Sequence, residues 1–462
     1  MQKVYQSPLA SRYATESMKQ LFSQEVKFKT WRKLWIALAE AEMELGLPIK
    51  EEQIKEMKDH ADDINYEVAE KREQEVHHDV MAHVYAYAEQ CEKAKPIIHL
   101  GATSCYVGDN ADLIIFYEAL KLVKTNLIKL IKALSNFAMQ NKNLPTLAFT
   151  HFQAAQPTTV GKRATIWLQD LLLDLDDIDY RISKFKLLGS KGTTGTQASF
   201  LELFEGDHFK VKRLEEKIAQ KMGFKDCFDV SGQTYPRKLD SQILFLLSSI
   251  AQSAAKFSND IRLLQSLKEI EEPFGDNQVG SSAMAYKRNP ILSERIASLA
   301  RCVIVNALNP CITASTQWLE RTLDDSANRR ICIPEAFLAV DAILNLYLKI
   351  AKGMKVYPKV IEKHLNDELP FIATENILMN AVKYGGDRQK LHERIRLHAM
   401  EATKAYKEQG TPIDLLERIF QDPSFNISSK ELKNLLDPQK YIGRAKEQTE
   451  EFISEKIKPR LE

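Results

Sequence analysis

Apolar residues recur along this chain at three- and four-residue intervals over unusually long stretches. Leu113, Phe116, Leu120, Val123, Leu127, Leu130, Leu134 and Phe137 form one such seam, the mark of a long helix packed in a bundle. Asn143-Leu144-Pro145 stops it. A second run, Lys162–Lys184, turns Trp167, Leu171 and Ile178 to one face. A third passes through Leu239, Ile243, Leu246, Ile250, Phe257, Ile261 and Leu264, and Cys332–Met354 supplies a fourth. Shorter helical patterns come earlier, at Trp31–Leu45 and Val80–Tyr87, with the charged segment Glu51–Asp63 between them. Beyond Val356-Tyr357-Pro358 the texture shifts to short, highly charged helices broken at Gly385-Gly386, Gly410 and Pro423. No series of period-two stretches separated by turns supports a central sheet. The pattern predicts an all-α protein whose middle is a bundle of long helices, followed by a smaller C-terminal helical domain.

Composition narrows the functional classes. A chain of 462 residues buries a large core, divided among two or three domains. Lys+Arg 64 against Asp+Glu 63 leaves a formal charge of +1, so no bulk basic field exists to bind nucleic acid or an anionic membrane. The N-terminal residues lack the apolar core of a signal peptide. The longest stretches without a charged residue, Asn143–Gly161 and Cys302–Leu319, contain proline and many polar residues and do not read as membrane spans. Cys91, Cys105, Cys227, Cys302, Cys311 and Cys332 form no CxxC pair and no disulfide framework, which fits a cytoplasmic enzyme with reduced thiols.

Polar islands interrupt the helices, and each interruption costs stability unless it serves another purpose. The most informative is Gly280-Ser281-Ser282-Ala283-Met284-Ala285-Tyr286-Lys287-Arg288-Asn289-Pro290. Small residues and hydroxyls there allow backbone N–H groups to gather, and two cations with an amide suit a carboxylate. Glu294 and Arg295 follow one turn later. Thr150-His151-Phe152-Gln153 surrounds a histidine with hydrogen-bonding groups, and Ser231-Gly232-Gln233-Thr234 is a similar loop. His99–Ser104 breaks the helical pattern, as does the glycine-rich Lys191–Gln197, which is not a phosphate-binding P-loop because no Gly-Lys-Ser/Thr ends it. In Glu320–Arg330, Arg321, Ser326 and Arg330 offer two guanidiniums and a hydroxyl to a phosphate, although a mixed charge run is equally a solvated face. Ser11-Arg12-Tyr13, taken alone, reads as N-terminal coil. In His77-His78-Asp79, Asp79 and His83 share a helix face at i, i+4 spacing; without a third ligand this predicts an ion pair rather than a metal site.

The eleven-residue island resembles the signature loop of the fumarase/aspartase superfamily, G-S-S-x-M-P-x-K-x-N-P, with Ala285 in place of the usual proline. With His78–His83, Ile97–Asn110, Thr150–Arg163, Lys191–Phe204 and Glu320–Cys332, the resemblance extends over nearly the whole chain to the adenylosuccinate lyase family. Ala154 is a second departure, standing where T-H-F-Q-P has proline. The resemblance implies cleavage of N-succinyl nucleotides in purine synthesis, with no cofactor and no metal. Adenylosuccinate would give AMP and fumarate, and succinyl-aminoimidazole-carboxamide ribotide would lose fumarate likewise. It also implies three helical domains, near 1–103, 104–356 and 357–462. The central helices would build a homotetramer whose active sites each draw on three subunits.

Residue roles carried over by the resemblance follow the chemistry. Ser281 matches the family's base and His151 the general acid that protonates the departing nitrogen. Lys287 and loop N–H groups would stabilise the Ser281 alkoxide. Lys287 and Asn289, with Thr103, Ser104, Thr150 and Gln233, would receive the charge that develops on the substrate carboxylate. His78 would lie near the phosphate, and Arg12, Tyr13, Arg321, Ser326 and Arg330 would hold it. Glu294 would orient His151 or Lys287, and Asp79 and Arg295 complete the substrate-binding set. An argininosuccinate lyase-like enzyme is the rival within the class, and it has no use for Arg321 and Arg330. A non-catalytic, crystallin-like scaffold is the rival outside it, and it needs neither Ser281 nor His151.

Overall fold

Every predicted seam lies on a helix. The computed structural model describes residues 4–275, 277–425 and 427–461, and 68% of it is helical. The helices that matter for the site are α1 (Gln24–Glu44), α2 (Asp79–Gln90), α3 (Ser104–Gln140), α4 (Val160–Ser183), α5 (Lys238–Ser266), α6 (Ile291–Asn306) and α7 (Asp325–Gly353). All eight seam residues of α3 from Leu113 to Phe137 are buried, as are the apolar faces predicted for α4 and α5. An all-α fold therefore follows from the three-four periodicity alone.

Contacts divide the chain into two units. The first takes in residues up to 128, 173–256 and 295–346; the second takes in 129–172, 257–294 and 347 onward. In the first, Trp31, Leu34 and Trp35 of α1 pack with Tyr87 of α2 and with Phe200 and Leu214. Each such side chain contributes roughly 1.5–3 kcal/mol through burial. Polar edges of this core are satisfied: Trp35 Nε1 donates to His99 Nδ1 at 2.9 Å, and Tyr106 donates its hydroxyl to the Leu34 carbonyl at 2.8 Å. In the second unit, Phe257 stacks on Tyr347 at 3.9 Å and meets Trp167 edge-on at 5.0 Å, while Trp167 Nε1 donates to Asp260 at 2.7 Å. A separate C-terminal core gathers Ile377, Leu391, Leu415, Ile419 and Phe425.

Two boundaries differ from the sequence pattern. Helix α7 begins at Asp325, seven residues before Cys332, so half of the polar block is helical. The stretch after Pro145 is a β-hairpin, β1 (Pro145–Thr150) paired antiparallel with β2 (Gln153–Thr159). Leu147 pairs with Pro157 and Phe149 with Ala154, which leaves Ala155 and Gln156 opposite Ala148 as a bulge. The two-residue turn is His151-Phe152, with φ of 52° and 54°. Such a turn matches the twist of a hairpin but normally carries Asn-Gly or Asp-Gly. A histidine and a phenylalanine held there mark strained backbone, and strain of this kind clusters at functional sites.

Candidate active site

Three helices of the first unit begin around one cavity of about 550 Å³. His78 caps α2, its Nδ1 accepting the Met81 N–H at 3.3 Å, which leaves Nε2 as the nitrogen facing other partners. Ser104 opens α3 directly after Thr103, and Asp325 and Ser326 open α7. Helix N-termini present unpaired N–H groups and a positive dipole end, so the three together favour an anion. Of the residues expected around the phosphate, His78, Arg321, Ser326 and Arg330 line this cavity, and Asp79 and Ser104 line it beside them.

The wall carries five carboxylates as well as five cations, so formal charge alone does not make it an anion site. Burial decides the matter. Asp109 and Asp325 are buried under the wall and saturated by Arg237, which reaches Asp109 through both terminal nitrogens at 3.0 and 3.1 Å and Asp325 through Nε at 2.6 Å. Arg329 is likewise consumed by Asp240 at 2.7 Å and Asp112 at 3.0 Å. The Arg330 side chain, by contrast, is 67% exposed, with Asp79 3.5 Å from it. Arg321 gives a single nitrogen to Asp325. Besides Lys27, which lies 4.0 Å from Asp79, the cations left to face the cavity are Arg321 and Arg330.

Neighbouring loops are tied to this wall. Gln233 donates its N–H to the Glu320 carbonyl at 3.0 Å and accepts from Cys105 Sγ at 3.7 Å. Gly232 lies so close to the same carbonyl that a Cβ there would sit 2.4 Å from it. Arg295 places its guanidinium 5.6 Å from the Tyr13 ring. Arg12 is exposed, and the lining residues described include neither Arg12 nor Tyr13. The ion pair expected between Asp79 and His83 does not form. His83 is buried, stacked on Phe28 at 3.8 Å, and burial with Lys27 and Arg32 nearby pushes its pKa down to about 4. Asp79 turns to Lys27 at 4.0 Å and Arg330 at 3.5 Å instead.

The second unit holds Ser281, Lys287, Asn289, Glu294, Thr150 and His151. The signature loop folds back on itself: the Asn289 amide donates to the Gly280 carbonyl at 2.9 Å, and Lys287 N–H donates to the Met284 carbonyl at 3.0 Å. A Cβ at Gly280 would meet the Lys287 carbonyl at 2.1 Å, so only glycine closes this loop. Inside it, Ser281 Oγ accepts N–H groups from Met284 at 3.1 Å and Ala283 at 3.4 Å. Such donors hold a serine oxygen in place and stabilise negative charge on it. Lys287 is exposed beside them, and Glu294 lies exposed in the first turn of α6. Thr150 and His151 stand exposed at the hairpin tip, where the His151 imidazole meets no hydrogen-bond partner among the described residues.

Sequence reasoning missed the buried charges under the cavity, Asp109, Arg237, Asp240, Asp325 and Arg329, and the half-buried Asp112 paired with Arg329. One signal was present. Asp109 falls four residues before Leu113, in phase with the α3 seam, and a carboxylate on an apolar stripe is buried only when paired.

A serine in a glycine loop, a histidine on a hairpin and long bundled helices match what the sequence resemblance implied, and comparison with known proteins places the chain among lyases of the fumarase/aspartase type. The family model described as "Lyase" matches residues 5–305, and that described as "Adenylosuccinate lyase C-terminus" matches residues 370–452. The chain belongs to the adenylosuccinate lyase family. It is 50% identical to the adenylosuccinate lyase of Schizosaccharomyces pombe, covering 99% of this chain and 95% of that one. It is also 50% identical to that of Saccharomyces cerevisiae, over 99% and 96%. Among solved structures, a 3-carboxy-cis,cis-muconate lactonizing enzyme from Pseudomonas putida shares the fold at a TM-score of 0.83 and 22% identity, covering 97% of this chain and 98% of that one. A fumarate lyase from Mesorhizobium does so at 0.82 and 22%, over 96% and 99%.

Proposed function

We propose that this chain is a carbon–nitrogen lyase that eliminates fumarate from adenylosuccinate, giving AMP, and from succinyl-aminoimidazole-carboxamide ribotide. Ser281, as the alkoxide, takes the proton from the carbon next to the substrate carboxylate. The C–N bond then breaks, and His151 delivers a proton to the departing nitrogen. Lys287, Asn289, Thr103, Ser104, Thr150 and Gln233 receive the charge on the carboxylate. Arg321, Ser326 and Arg330, with His78, hold the phosphate, and Arg12 and Tyr13 join them. The observation that carries this reading is the pair of N–H groups on Ser281 Oγ, since a serine is too weakly acidic to act as base without them. Release of fumarate from adenylosuccinate, followed by ultraviolet absorbance, tests it. Turnover of argininosuccinate in its place would favour the rival lyase, and no turnover of either would leave a scaffold.

The reading includes a homotetramer in the cytoplasm. Exposure of Val305, Leu308, Ile312, Trp318, Leu319, Leu323 and Ile331 supports self-association, because an apolar surface this rich is costly in water. Six free cysteines suit a reducing compartment.

Replacement of Arg330 by alanine separates phosphate recognition from a merely solvated charge. Loss of one charge-assisted contact weakens AMP binding by about 1.5–3 kcal/mol. Titration of AMP against Arg330→Ala measures it, and unaltered affinity would return the start of α7 to an ordinary exposed surface.

A further inference from the structure

We propose that Asp325 is a positioning residue for nucleotide recognition, which presets the Arg321 guanidinium through a buried relay of charges. The inference rests on the nucleotide-lyase reading. It begins from Asp325 itself, which is fully buried at the first position of α7, beneath the cavity wall. Both of its oxygens accept from the same Arg321 nitrogen, each at 3.0 Å. An arginine has five N–H donors in a fixed plane, so this contact leaves three of them for a ligand. A long, solvated arginine would lose rotamer freedom on binding a phosphate. Arg321, already ordered by Asp325, loses much less.

A carboxylate beside a phosphate site repels the ligand unless its charge is cancelled. Arg237 does so here, donating through Nε to Asp325 at 2.6 Å. Asp109 in turn anchors Arg237 at both terminal nitrogens and accepts the Tyr235 N–H at 3.0 Å. Burial pushes the Asp325 carboxyl up, but Arg237 and Arg321 outweigh it and hold the group below the usual range, so it stays ionised. The relay Asp109–Arg237–Asp325–Arg321 thus crosses from α3 to the start of α7. Its two carboxylates and two guanidiniums sum to zero, so Asp325 brings no net negative charge to the cavity wall while it holds the Arg321 guanidinium at a fixed aim.

Asp325→Asn keeps the shape and removes the charge that orders Arg321. Assayed on the intact enzyme, it raises KM for adenylosuccinate roughly 10- to 100-fold, while kcat changes by less than about threefold. Inhibition by AMP weakens by the same factor as KM rises. Succinyladenosine, which lacks the phosphate, keeps its kcat/KM within about threefold. Asp325→Glu, which retains both ion pairs at a longer reach, gives an intermediate KM and serves also if the asparagine variant does not fold. Equal losses for nucleotide and nucleoside, or an unchanged KM, overturn the positioning role. Arg321→Ala, run in parallel, tells the two failures apart. If it leaves AMP inhibition intact, the phosphate reading itself is wrong. If it alone weakens AMP, that reading stands and the relay does no positioning.

Discussion

Ser281→Ala lowers turnover by about a thousandfold or more and leaves substrate affinity close to normal, the signature of a group that acts only in the transition state. The structure explains why affinity survives. Ser281 Oγ accepts N–H groups from Ala283 and Met284 within the loop, and on truncation those exposed donors turn to water at little cost. The loop itself is closed by other contacts, from Asn289 to Gly280 and from Lys287 to Met284. What is lost is the oxygen that takes the proton. Single-turnover measurements separate binding from chemistry, and Ser282→Ala, one residue along on the same exposed loop, keeps near-wild-type turnover. Substantial turnover in Ser281→Ala, with affinity weakened instead, would assign the proton abstraction to another group.

Sequence and structure agree where one local rule dominates. The α3 seam is legible because every third or fourth residue from Leu113 to Phe137 is apolar and all are buried. The signature loop is legible because Gly280 answers to a steric demand, the approach of the Lys287 carbonyl, that no other residue meets. The hairpin escaped detection for an equally physical reason. Its turn, His151-Phe152, carries neither glycine nor asparagine, β2 contains Pro157, and a bulge breaks the period-two alternation. His83 misled because i, i+4 spacing says which residues share a face but not whether that face is wet. Phe28 and Trp31 cover the imidazole, and a ring held neutral there gains nothing from Asp79. The charge relay escaped because its inner links join residues far apart in sequence, Asp109 with Arg237 at 128 residues and Arg237 with Asp325 at 88, and only the packing of helices brings them together.

In the homotetramer with shared active sites that we propose, mixing Ser281→Ala and His151→Ala subunits restores activity that neither variant shows alone. The argument starts from the length of α3. Its 37 residues rise 1.5 Å each, so the helix is about 55 Å long. Thr103 and Ser104 stand at its start, and the hairpin bearing His151 follows its end. A helix of this length suits the proposed homotetramer, in which a second copy packed antiparallel brings its own end alongside. The shared site that we propose takes His151 and Ser281 from different subunits. Each pure variant then lacks one group in every site. Random mixing of equal amounts gives both intact groups to about a quarter of the sites, and activity rises toward about a quarter of wild type. The measurement is fumarate release after the two variants are dissociated and reassembled together, with a tag on one of them to show that hybrids form. Tagged hybrids that remain inactive would mean that each site takes its acid and its base from a single subunit, and the antiparallel assembly would need a different account.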